Sequence, residues 1–136
     1  MEKINFTIKY NIPLYKIKMV YYFYDNLLDC ANKIKTDHNI KKLYKLPNKE
    51  IKLVDGVVIG QFIPTMDLIY ILIRTKDGKV SFNTLTHENY HVTSKIMDHT
   101  DFDFYHSDEP FAMLNGVLNS EIIEKINNNK AFNGWL

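Results

Sequence analysis

An unbroken apolar run, Leu68-Ile69-Tyr70-Ile71-Leu72-Ile73, stands between Asp67 and Arg74 and constrains the fold more than any other stretch of the chain. It is far shorter than the roughly 20 apolar residues of a membrane span. Rich in β-branched and aromatic side chains, it predicts a well-buried strand. Val54 to Phe62, just upstream, is a second run of strand length, and Pro64-Thr65-Met66 separates the two. Together they predict an antiparallel hairpin, followed by the turn Lys76-Asp77-Gly78-Lys79.

The flanking segments add helices. Tyr15 to Tyr24 predicts a strand, with Ile17, Met19 and Tyr21 alternating with Lys16 and Lys18. Its Tyr21-Tyr22-Phe23-Tyr24 reads as sheet core rather than as a platform for stacking bases. Asp25 is the expected cap of a helix to about Thr36, in which Leu27, Leu28, Ala31 and Ile34 fall at helical spacing. Pro47 and the lysines around it predict a loop. Beyond the Asp77-Gly78 turn the period changes. Ser81 or Asn83 can cap a helix reaching about Met97, with Leu85, Val92 and Ile96 as its apolar stripe. Asp98 to Ser107 is an acidic, aromatic loop, and Asp108 can cap a last helix from Glu109 to about Asn127, with Pro110 in its first turn. The expected order is strand, helix, two strands, two helices: one α+β domain over residues 1–136, a small antiparallel-containing sheet packed on three helices.

Composition bounds the function. The 136 residues are 46% hydrophobic, enough for one self-sufficient core. The net charge of +1 is too small for a general polyanion binder, yet it hides an uneven distribution. Residues 1–52 carry eleven lysines and five acids, while residues 53–136 carry six bases and eleven acids. The Lys41 to Lys52 stretch reads as a solvated loop, because aromatics are sparse there and no nucleic-acid motif accompanies it, so a nucleic-acid partner is not expected. The single cysteine, Cys30, excludes an internal disulfide and a cysteine-rich zinc site, and fits a reducing compartment. Polar residues interrupt every apolar run from Met1 to Lys9, so no signal-peptide core is expected, and a cytoplasmic location follows. Phe132 to Leu136 reads two ways, as a tail docked on the domain or as a small partner contact.

His87-Glu88-Asn89-Tyr90-His91 is an HExxH sequence on an expected helix. Four residues of α-helix advance about 6 Å and turn about 400°, so both imidazoles leave one face and can reach one ion. Glu88 stands beside them, placed to act as a general base on water at the metal. Chance gives such a pattern in about 0.8% of chains with this His and Glu content, which favours a metal site over an accidental solvated face. A catalytic zinc needs a third ligand, and the downstream candidates are Asp98, His99, Asp101, Asp103, His106, Asp108 and Glu109. Met97 stands where the metzincin arrangement requires a third histidine, which excludes that subclass. Glu109 is favoured, because its helix can fold back antiparallel to the HExxH helix, with Ala112, Gly116 and Ser120 as small residues for close approach. A plain N-terminal acid satisfying the helix dipole is the other reading of Glu109, and His106 is the competing ligand. Calcium in the acidic loop is not expected, since the EF-hand spacing is missing.

Thr86-His87-Glu88-Asn89-Tyr90-His91, followed by Glu109-Pro110-Phe111-Ala112-Met113-Leu114-Asn115-Gly116, resembles zincin metallopeptidases of the gluzincin type. In particular it is similar to small uncharacterised bacteriophage proteins that pair HExxH with an E-P-x-A-x-L-x-G helix. The resemblance covers about residues 54–129. It implies a minimal zincin-like domain, with Zn2+ held by His87, His91 and Glu109 and with Glu88 polarising the water. Amide hydrolysis of a protein or peptide in a host cytoplasm is the implied reaction. Tyr105 and His106 would be the nearest candidates to stabilise the oxyanion, and Tyr105 reads equally as a packing residue. Full-sized gluzincins have a second lobe to close a cleft, which this chain lacks. The alternative it leaves is a zincin-like metal-binding protein without catalysis that acts by binding a host or viral protein. The oligomeric state is not fixed by sequence, and neither is zinc over another divalent ion.

Overall fold

The computed structural model describes residues 6–12, 17–38, 56–63, 66–99 and 108–136. Strands β1 (Phe6–Ile12) and β2 (Ile17–Tyr24) precede helix α1 (Leu27–His38). Strands β3 (Gly56–Ile63) and β4 (Met66–Arg74) follow, and then helices α2 (Phe82–His99) and α3 (Asp108–Asn127). The four strands form one mixed sheet in the order β1-β2-β4-β3. The α+β class therefore holds, and the expected hairpin is present: β3 and β4 pair antiparallel from Gly56 opposite Ile73 to Ile63 opposite Met66.

Two features of the sheet differ from the sequence reading. β1 is an additional strand, antiparallel to β2 from Phe6 opposite Phe23 to Ile12 opposite Ile17. The polar residues that break its apolar run sit at every second position, which is the signature of a strand with one buried face: Phe6, Ile8 and Ile12 are buried while Lys9 and Asn11 are exposed. β2 and β4 pair parallel, from Lys18 opposite Leu68 to Tyr24 opposite Arg74, and so occupy the centre of the sheet.

Central parallel strands are buried on both faces. Met19, Tyr21 and Phe23 of β2 and Ile69, Ile71 and Ile73 of β4 point to one side, where they meet Leu85, Val92 and Ile96 of α2 and Leu114, Leu118, Ile122 and Ile126 of α3. Val20, Tyr22, Tyr24, Leu68, Tyr70 and Leu72 point to the other, against Cys30 and Ile34 of α1. The unbroken apolar character of Leu68 to Ile73 follows from this three-layer arrangement. The tyrosines on the α1 side carry a polar tip that must be answered, and the Tyr22 hydroxyl donates to Asp37 at 3.1 Å.

Local chemistry fixes the connections. Asn26, not Asp25, caps α1: its Oδ1 accepts the Asp29 N–H at 3.1 Å. Asp25 accepts instead from the Thr75 hydroxyl and, at 3.3 Å, from the Gly78 N–H, so it ties the end of β2 to the turn beyond β4. That turn has Asp77 at φ 53° and Gly78 at φ 78°, closed by reciprocal Lys76 and Lys79 backbone bonds of 3.1 and 3.0 Å. Two successive positive φ angles require the Asp-Gly pair found there. The two readings of the C-terminal segment resolve to docking: Val80 donates to the Gly134 carbonyl at 3.0 Å and accepts from the Leu136 N–H at 2.8 Å, while Phe132 and Trp135 pack on the core. Among the described residues no helix is long and apolar enough to cross a membrane. The Lys41 to Lys52 stretch and Pro47 lie outside the described residues.

Cys30 is buried, and burial pushes its thiol pKa up from the ordinary value. The native chain is therefore expected to resist a water-soluble thiol reagent and to label fully once denatured. Native labelling at the rate of an exposed thiol would contradict this packing.

Candidate metal centre

α2 starts at a built cap, because the Thr84 N–H donates to Ser81 Oγ at 3.2 Å and the Leu85 N–H to the Ser81 carbonyl at 3.0 Å. From there the apolar stripe sets its rotation. Leu85, Asn89, Val92, Thr93, Ile96 and Met97 are buried, and at about 100° per residue His87 and His91 fall on the opposite side, exposed. The two histidines of the motif thus lie along the outer crest of the helix.

The two imidazoles meet there, with Nε2 of His87 and Nε2 of His91 3.2 Å apart. Donors about 2.05 Å from a tetrahedral ion stand about 3.3 Å from each other. The pair is therefore spaced as one edge of a zinc tetrahedron, which fits two of four ligands. The same distance serves an N–H···N hydrogen bond between two neutral rings of opposite tautomer. Glu88 projects about a quarter turn away and is only 6% exposed. Burial raises the pKa of its carboxyl above 4.5, and the neighbouring His87 pulls it partly back.

α3 folds back antiparallel to α2 as expected: Asn89 meets Asn119 near one end of the contact and Thr93 meets Asn115 farther along. The face that makes this contact differs from the expected one. Ala112, Gly116 and Ser120 are exposed, and nothing lies within 4 Å of a Cβ placed on Gly116. Glu109 is exposed in the first turn of α3. The apolar residues of the shared core and the polar contacts of Asn89 and Thr93, rather than a stripe of small residues, join the two helices. Among the described residues no three His, Cys, Asp or Glu side chains gather closely enough to hold a metal, so Glu109 is not brought to the histidine pair. Asp98 is exposed at the end of α2. Tyr105 and His106, with Asp101 and Asp103, lie outside the described residues.

Sequence reasoning missed the polar network beneath the motif. The Tyr21 hydroxyl donates to Asn89 Oδ1 at 2.6 Å, and Asn89 Nδ2 donates to Asn119 Oδ1 at 2.9 Å. The Thr93 hydroxyl donates to the Asn89 carbonyl at 2.9 Å and also lies 3.2 Å from Asn115 Oδ1. The signal was present: Asn89 fills the gap in the Leu85, Val92, Ile96 stripe, where a polar residue must find a buried partner. Tyr90 beside it is exposed, and its ring stands 5.1 Å from that of Phe111.

Removing the Tyr21 hydroxyl leaves the buried Asn89 oxygen without that donor, so Tyr21→Phe is expected to cost about 1–3 kcal/mol in denaturant unfolding. A second expectation concerns Glu88 in chelator-treated protein. A raised folded pKa means that the native state holds the proton more tightly than the unfolded chain, so stability falls as pH rises through the interval above 4.5. Glu88→Gln, with no charge to desolvate, should melt above the parent at pH 7, and the gap should close below pH 4.5. A parent that is the more stable at pH 7 would show a favourable partner for the carboxylate.

No family model, curated protein or solved structure matches the chain, so the functional reading rests on the geometry of these residues.

Proposed function

We propose that the protein binds a divalent metal ion, zinc by the chemistry of its donors, through His87 and His91, and that it acts by holding a protein partner at that exposed site. One observation carries the reading: two accessible Nε2 atoms 3.2 Å apart on a rigid helix crest, the spacing of a metal's donor edge. Imidazoles in register on one helix turn lose little freedom on binding, so two donors suffice to recruit an ion that a partner then completes. The buried thiol of Cys30 supports a reducing, cytoplasmic setting.

A second reading, a zinc-dependent hydrolase and specifically a metallopeptidase, is supported by Glu88. His87, His91 and Glu109 would hold the ion, which when bound supplies Lewis acidity, acidifying water and polarising a carbonyl. Glu88 is one residue from a ligand and has a carboxyl whose proton affinity burial raises toward that of a working general base. It would take a proton from water onto its carboxylate and return it to the leaving nitrogen. This reading requires α3 to bring Glu109 to the pair. A zincin-like fold belongs to the same proposal.

Elemental analysis of untagged protein beside His91→Ala tests the metal. Zinc in the parent and little in the variant is expected, with the zinc-induced rise in melting temperature lost as well. No zinc in the parent after reconstitution would overturn both readings. Glu88→Gln then separates them. It should keep zinc in either case, and abolish peptide cleavage only in a hydrolase.

A further inference from the structure

We infer that the partner at the His87 and His91 site is a second copy of this chain, with one ion on a two-fold axis bound by both pairs. The inference rests on the metal-binding reading above and adds the identity of the partner. A tetrahedron has two opposite edges of equal length, related by a two-fold axis through its centre. His87 and His91 supply one edge at 3.2 Å, so an identical pair from an identical chain supplies the other without a new donor type.

The surroundings of the pair allow such a meeting. Both rings are exposed, and the crest around them presents Asn83, Tyr90 and Ser94, all uncharged. Among the described residues of α2, two charged side chains of opposite sign lie beyond the pair, the half-buried Lys95 about 6 Å and the exposed Asp98 about 10 Å along the helix from His91, and neither stands at the axis itself. The exposed Tyr90 ring adds aromatic surface beside the ligands. Opposite edges of a tetrahedron are perpendicular, and in the proposed pair each edge joins two residues one turn apart along its own α2. The two copies of α2 therefore cross near a right angle. Helices crossing in this way touch over far less than the roughly 1,200 Å² of a standard interface. The ion, rather than protein contact, must hold the pair together.

The test is the mass of untagged full chain by light scattering, first stripped with EDTA and then titrated with zinc chloride, with zinc content measured on the isolated species. Stripped protein should run as one chain of 16.1 kDa, double in mass with one zinc per two chains, and return to one chain on renewed EDTA. His87→Ala and His91→Ala should keep the parent's circular dichroism, since both side chains are exposed, and stay single at every zinc concentration. A monomer holding one zinc per chain would overturn the inference while leaving the metal site standing. A parent that takes up no zinc would overturn the metal site as well. Zinc-dependent doubling that survives both substitutions would place the assembly elsewhere and overturn the inference.

Discussion

The parallel pairing of β2 with β4 is the constraint on which the rest of the molecule depends. Two central strands with no solvated face need a layer on each side, and the described residues supply them unequally: α1 packs on the face of Val20, Tyr22, Tyr70 and Leu72, while α2 and α3 share the face of Tyr21, Phe23, Ile69 and Ile71. Because β3 and β4 form a tight hairpin, the parallel partner of β2 is reached only after α1 and β3 have been laid down. α2 then leaves the far end of β4 through the Asp77-Gly78 turn and has one face free to choose. Burial of Leu85, Val92 and Ile96 makes that choice, and the outward direction of His87 and His91 is its consequence. The candidate centre is placed by the hydrophobic side of the helix rather than by anything the histidines touch.

Apolar contacts alone would leave the rotation of α2 loosely set, since a stripe of Leu, Val and Ile packs nearly as well after a small roll. The Tyr21, Asn89 and Asn119 chain removes that freedom. A 2.6 Å bond from the sheet and a 2.9 Å bond to α3 meet on one amide, and both are lost if α2 rolls. Asn89 lies between the two histidines in sequence, so the residue that fixes the helix is enclosed by the motif it orients. Thr93, bonded back to the Asn89 carbonyl and placed beside Asn115, repeats the arrangement one turn on.

Much of this was legible in the residues. Leu68 to Ile73 announced a buried strand, Asp77-Gly78 announced its turn, and Ser81 capped the helix that the changed period predicts. Three things were not legible, each for a physical reason. β1 alternates with lysine and asparagine, so a scan for long apolar runs passes over a strand buried on one face. The parallel register is a choice made between β2 and β4 across some forty intervening residues, and no local signal encodes it. Asp25 and Asn26 are both good caps, and the decision between them came from Thr75 and Gly78, fifty residues away, which claimed Asp25.

The same distinction governs the candidate site. An HExxH sequence on a helix puts the two imidazoles on one face, one turn apart, and the side-chain rotamers adopted here bring their Nε2 atoms to 3.2 Å. It does not fix which way the pair faces, nor what stands opposite. In a zincin the pair must share a cleft with a third ligand from another element. Here the described part of α3 presents Asn115 and Asn119 to α2 and leaves Ala112, Gly116 and Glu109 on the outside. The two histidines stand side by side on α2, and among the described residues α3 meets that helix through the half-buried Asn115 and Asn119 without bringing Glu109 to them. A crest so built offers its two donors outward, to whatever can approach from solvent.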